Sequence, residues 1–150
     1  MKRLLLTDDA WSTFILRVLL GLVMWPHGAQ KLLGLFGGFG FSATMGFFGQ
    51  QGIPAPLAVL VIVGEFFGSL TLIVGLLTRV AAFGIACVML GAVFLVHAAN
   101  GFFMNWSGQQ AGEGFEYHLL AFAICLALMI AGGGRLSVDR ALTRRAGTGG

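Results

Sequence analysis

Seven ionisable residues stand within or at the borders of long apolar runs: Arg17, His27, Lys31, Glu65, His97, Glu116 and His118. A charge in an apolar medium is costly, so such groups face a protein interior or a cavity by default and mark function. Imidazole and ammonium groups donate to carbonyl oxygens and a carboxylate takes up a proton, which together suit the head group of a quinone. Imidazole also suits zinc, copper or iron. No two of the histidines are four residues apart, so a metal would need several helices to converge, and no metal site is expected. Plainer uses compete with these. Lys31 has the reach to snorkel to a membrane border, and a histidine at such a border serves as a hydrogen-bonded structural group. Arg17 and Glu65 are expected to form a buried ion pair that holds two helices in register.

The chain around these residues has 150 residues, of which 57% are hydrophobic and only 10% charged. A soluble domain carries about 25% charged residues, so this chain lacks the charge to cover a water-facing surface. Its expected partner is the lipid bilayer. The pI of about 9.4 rests on a net charge of only +3. The basic residues gather at the ends of apolar runs, which fits membrane topology and excludes nucleic acid as an expected partner. Cys87 and Cys125 lie inside apolar runs with no CxxC motif, and read as small buried hydrophobes. Lys2 and Arg3 precede an apolar run as in a signal peptide. The run is too long for one, Arg17 interrupts it and no small-residue cleavage motif follows, so a retained first helix is expected.

About 20 apolar residues cross a bilayer as a helix. Trp11 to Leu33 is such a run, and helical spacing puts Arg17, Gly21, Met24, Gly28 and Lys31 on one stripe with His27 at its edge. Pro26 removes a backbone hydrogen bond within it and is expected to kink the helix. The following stretch, Leu35 to Pro56, is uncharged and rich in Gly and Phe. It predicts a short helix capped by Ser42 and ending near Gln51, lying in the interface or folded over the bundle as a lid. Gly64 and Gly68 are spaced for close helix packing. The fold class expected is all-α: an integral membrane four-helix bundle, with spans at about 11–34, 57–77, 80–103 and 115–131. Residues 1–134 form this domain, and 135–150 are a basic cytoplasmic tail whose last residues, Gly147 to Gly150, are expected to be disordered.

With four spans, Lys2, Arg3, Arg79, Arg135, Arg140, Arg144 and Arg145 fall on one side and Lys31 alone on the other. Positive-inside then places both termini in the cytoplasm. All three histidines, Lys31 and Glu116 fall toward the extracytoplasmic end, with Glu65 about 15 Å into its span at 1.5 Å per residue.

Several short motifs recur in an order that resembles the DoxX family. They are Gly21 with His27-Gly28 and Lys31, Gly64-Glu65, Gly75-Leu76-Leu77-Thr78-Arg79, His97 with Asn100-Gly101-Phe102-Phe103, Glu116, and Gly134-Arg135-Leu136-Ser137-Val138-Asp139. The resemblance covers nearly the whole chain. It implies a small four-helix protein of the bacterial inner membrane, whose relatives include subunits named for a terminal quinol oxidase or a thiosulfate:quinone oxidoreductase. It further implies a redox-associated, quinone-linked subunit, with the role carried onto His27, Lys31, Glu65, His97 and Glu116. Phe66-Phe67-Gly68-Ser69 departs from the smaller residues expected after Glu65. With no haem-ligand pattern, flavin motif or CxxC, the chain is not expected to be a complete oxidase or a thiol relay, nor to carry a covalent cofactor. The function expected is quinone or similar small-ligand binding at the extracytoplasmic end, with His118 added to the pocket. The alternatives are a non-catalytic scaffold that docks partner redox proteins or forms a homo-oligomer, and a small oligomeric transporter.

Overall fold

The computed structural model describes the backbone of residues 2–147 and the side chains of residues 4–144. Among the described residues all regular secondary structure is helical. In order come α1 (Lys2–Leu5), α2 (Trp11–Leu33), α3 (Gly40–Gln50), α4 (Ala55–Val74), α5 (Thr78–Ala92), α6 (Glu116–Ala131) and α7 (Val138–Gly147), with a π-helical turn (Val93–His97) and a 3₁₀ turn (Ala98–Asn100) prolonging α5. Three stretches, Trp11–Leu33, Ala55–Val74 and Thr78–Asn100, are long and apolar enough to cross a membrane, and Glu116–Ala131 is a shorter apolar helix packed with them. Large apolar side chains such as Leu60, Phe83, Phe94, Leu120 and Ile130 point outward, as lipid-facing residues do. The protein is an all-helical membrane bundle.

The buried stripe of α2 carries Thr13, Arg17, Leu20, Gly21, Met24, Gly28 and Ala29, with His27 exposed beside it. Two of its glycines set the distance to α4. A Cβ on Gly28 would stand 2.5 Å from the Phe66 nitrogen, and one on Gly21 would stand 2.9 Å from the Ser69 carbonyl oxygen. Close backbone approach is what small residues at membrane-helix interfaces permit. Gly64 and Gly68 do not do this work: a Cβ on Gly64 would meet nothing within 4 Å, and one on Gly68 only the Ile85 side chain at 3.7 Å. The motif spacing was right for packing but the opposing surface is absent. Gly28→Val is therefore expected to lower the unfolding temperature in detergent by about 5 °C or more, since overpacking against backbone cannot relax by rotamer changes. Gly64→Val should leave it nearly unchanged, and equal effects at the two positions would contradict this register.

The core joins Leu20 and Met24 of α2, Leu72 of α4, Ile85 and Met89 of α5, and Cys125 and Leu128 of α6. Cys125 is buried as expected, whereas Cys87 is exposed on the outer face of α5. Asp8 serves the start of α2 through its side chain, which accepts from the Ala10 nitrogen at 3.2 Å and the Thr13 hydroxyl at 2.7 Å. The helix runs through Pro26 to Leu33 and ends in left-handed Gly34, whose N–H reaches the Ala29 carbonyl. Helix α3 packs on α2 and α4 as the interfacial element between them. Ser42 lies within it rather than at its cap, because the chain is already helical from Gly40.

The described part of the segment beyond residue 134 packs on the bundle. Asp139 is buried, and its carboxylate accepts from the Leu77 and Thr78 nitrogens at 2.7 and 2.9 Å, capping the start of α5. Leu77 adopts a left-handed conformation, φ 50°, that a leucine sustains only where surrounding contacts fix it. The Asp139 nitrogen in turn donates to the Gly75 carbonyl at 2.9 Å. An acidic residue in a basic stretch thus fastens α7 to the α4–α5 corner. The expected disorder of the last glycines lies, apart from Gly147 at the end of α7, outside the described residues. The segment before α2, the start of α5 and the end of α6 meet at one end of the bundle, where the Asp8 nitrogen donates to the Ala131 carbonyl at 3.0 Å and Arg79 donates to the carbonyls of Leu6 and Met129. That terminal end holds Arg79, Arg135, Arg140 and Arg144, and the opposite, far end holds Lys31.

Candidate functional site

Helix antiparallelism decides which charges can meet. Gly28 lies against Glu65 and Phe66, and Gly21 against Ile73, so Arg17 falls opposite the end of α4, about 18 Å from Glu65 at 1.5 Å per residue. No arginine side chain spans that distance, and the expected Arg17–Glu65 ion pair does not form. Arg17 is completely buried and donates instead to the carbonyls of Gly133 at 2.8 Å, Leu72 and Ile73 at 2.6 Å each, and Leu136 at 3.3 Å. The last carbonyls of a helix have no intrahelical donor, and the fixed fork of a guanidinium can serve several at once. Gly75 makes room for it, since a Cβ there would stand 2.9 Å from the Arg17 Cζ.

Glu65 pairs with Lys31. The Nζ–Oε2 distance is 2.5 Å, and the side chains are 28% and 5% exposed. Lys31 therefore reaches sideways into the bundle rather than snorkelling alone, and it joins α2 to α4 at the far end. His27 stands one helical turn before Lys31, on the lipid-facing edge of α2. Its ring lies 6.3 Å from that of Tyr117, and the Tyr117 hydroxyl donates to the Met24 sulfur at 3.4 Å.

From Tyr117 the aromatic contacts continue to His118 at 5.4 Å and from His118 to His97 at 4.1 Å between ring centroids. Two features present His97 there. The π-helical turn ending at His97 re-aims the side chain relative to a regular α-helix, and such turns are frequent at functional sites. The His97 Nδ1–H then donates to the Glu113 carbonyl at 2.8 Å, which leaves Nε2 as an acceptor in the neutral ring. Asn100 donates to the same carbonyl at 3.1 Å. His118 is buried, and its Nδ1 has no hydrogen-bond partner among the described residues. Trp25 Nε1 and Thr78 Oγ1 are likewise without a partner, and what sets His118 apart is the row of rings in which it stands.

Three of the sequence-derived site residues, His27, His97 and His118, are thus linked through Tyr117, and Lys31 and Glu65 form an ion pair beside α2 at the same end. Glu116 is not part of that row. Its carboxylate accepts from the Met104 nitrogen at 3.0 Å and the Trp106 indole at 3.4 Å, organising the loop before α6. The Glu113 carboxylate does the same at the Asn105 nitrogen, 2.6 Å away. Tyr117 was missed by sequence reasoning although it is the only tyrosine in the chain and adjoins His118. Glu113 and Asn100 were missed because they act through loop geometry. Among the described residues no group of three His, Cys, Asp or Glu side chains is placed to hold a metal ion. Open clefts lie at the terminal end, around Arg140 and beside Arg79. His27, at one end of the aromatic row, is exposed on the outer face of α2.

The sequence model of the DoxX family matches residues 12–98. The chain is 32% identical over 117 residues to "Putative oxidoreductase CatD" of Bacillus subtilis, covering 78% of each chain. It is 28% identical over 134 residues to "Inner membrane protein YqjF" of Escherichia coli, covering 89% of this chain and 94% of that one. It is also 32% identical over 153 residues to "Uncharacterized membrane protein Rv3486" of Mycobacterium tuberculosis, covering 96% and 89% respectively. No solved structure matches the chain at a significant level.

Proposed function

The chain belongs to the DoxX family, and from that premise we propose that it is a redox-associated membrane subunit that binds a quinone, or a similar lipid-soluble carbonyl compound, at the far end of the bundle. The observation that carries this reading is the buried His118 with an unpartnered Nδ1, set in a row of rings that reaches the exposed His27. A planar carbonyl compound fits such a row in two ways: imidazole N–H groups donate to its oxygens and aromatic rings pack on its face. Entry from the lipid side suits a ligand dissolved in the bilayer. The oxidoreductase name of the Bacillus relative supports the redox association alone.

In this reading His27 and His118 would hold the carbonyl oxygens, and Tyr117 would pack between them. A quinone, when bound, supplies reversible two-electron, two-proton chemistry. The protein's part is to hold the ring, exclude water and place a proton-accepting carboxylate, Glu65, with Lys31 fixing its position. The chain acts as a subunit of the bacterial inner membrane with both termini in the cytoplasm, and a partner redox protein exchanges electrons with the ligand. A second reading, a scaffold that assembles with itself or with partners, is favoured by the outer glycines Gly84 and Gly91, which meet nothing within 4 Å in the chain.

Quinone binding measured by fluorescence quenching of purified protein is the test. His27→Ala/His118→Ala is expected to weaken binding about 10-fold or more, as expected from losing hydrogen bonds worth about 1 kcal/mol each plus ring packing. Wild-type affinity in that variant, with unfolding temperature preserved, would refute the reading and favour the scaffold.

A further inference from the structure

At the terminal end, away from the histidines, a cleft of about 290 Å³ is lined by Asp9, Arg135, Leu136, Ser137, Arg140 and Arg144. We propose that this cleft binds the phosphate of an anionic membrane lipid. Three guanidinium groups face one carboxylate, so the lining carries a net positive charge. Asp9 is shared between Arg140, in direct contact, and Arg135 at 3.5 Å. The Arg135 guanidinium makes no hydrogen bond, and the Arg144 side chain has no partner among the described residues. Their N–H groups are available, and a guanidinium pairs with phosphate oxygens in a bidentate manner. The Ser137 hydroxyl is already engaged, donating to Gly134 and accepting from the Arg140 nitrogen. Arginines therefore carry the site.

The surroundings place it at head-group depth. The Arg135 guanidinium lies 5.0 Å from the ring centre of Trp11, which is half exposed, and tryptophan concentrates at the membrane–water interface. Along α7, Arg140 and Arg144 occupy one flank, one turn apart. Val138 and Leu142 occupy the other and are exposed, as is Leu136 just before the helix. That is the layout of an interfacial helix, with acyl chains against the apolar flank and a phosphate against the basic one. The volume lies near the lower end of ligand pockets, about 300–1,000 Å³, and admits a lipid head group.

The experiment uses the full chain in zwitterionic detergent, with lipid retention read by native mass spectrometry. Phosphatidylglycerol is expected to be retained in preference to phosphatidylcholine. Arg135→Gln/Arg144→Gln should weaken that preference about 10-fold or more, as expected for removing two interfacial charges. Arg135→Lys/Arg144→Lys keeps both charges but loses the bidentate fork, so its preference should fall between those of the parent and the Gln variant. An unchanged preference in the Gln variant would overturn the site, and so would a Lys variant as poor as the Gln variant. Displacement of phosphatidylglycerol by millimolar inorganic phosphate would overturn the lipid source.

Discussion

Arg17→Met is expected to destabilise the bundle by about 4 kcal/mol or more, as measured by unfolding in mixed micelles. Arg17 is fully buried and bonds carbonyls from three places in the chain: the end of α4, Gly133 after α6, and Leu136 before α7. Hydrogen bonds to a charged group contribute about 1.5–3 kcal/mol each, and a buried carbonyl left unsatisfied costs about 1–3 kcal/mol. Methionine matches much of the volume and supplies no donor, so the loss is of bonds and not of packing. Arg17→Lys should fall between, because one ammonium cannot reach acceptors spread around a planar fork. A methionine variant as stable as the parent would mean that the carbonyls find other partners and that Arg17 is no latch.

The second large effect is expected at the Lys31–Glu65 pair. Lys31→Met leaves Glu65, nearly fully buried, without its partner, and removing one member of a buried pair costs about 3–5 kcal/mol. Lys31→Met/Glu65→Leu should regain most of that stability, since replacing both charges by apolar groups is often neutral. The resulting double-mutant cycle is expected to give a coupling of about 2 kcal/mol or more. If Lys31 only snorkelled, the single change would cost less than about 1 kcal/mol and the cycle would show no coupling.

These two predictions also mark where the sequence was and was not informative. Apolar run length and the near absence of charge were enough for an all-helical membrane bundle, and the stripe of α2, with His27 at its edge, was read residue by residue. Charge pairing was not legible, because it depends on the axial register of α2 against α4. That register is fixed by backbone contacts at Gly21 and Gly28, and nothing in the spacing of Gly64 and Gly68 distinguishes a packed glycine from a lipid-facing one. The gathering of histidines at one end followed from topology, but the pairing of His97 with His118 needed the π-helical turn, which has no periodic signature. Asp139 looked like one charge in a basic tail. Its role as the cap of α5 is a contact made across 61 residues of sequence, beyond the reach of local pattern.

In the proposed reading a lipid-soluble carbonyl ligand sits against the His27–Tyr117–His118 row. The most direct measurement is photolabelling of the protein in membranes with a photoreactive quinone, followed by mapping of the labelled peptides. Label concentrated on the far-end segments of α2 and α6, at residues 24–31 and 115–122, and competed away by unlabelled quinone, is the expected result. Label spread over the lipid-facing surface without competition, or concentrated at the terminal end around Arg79 and Arg140, would contradict it.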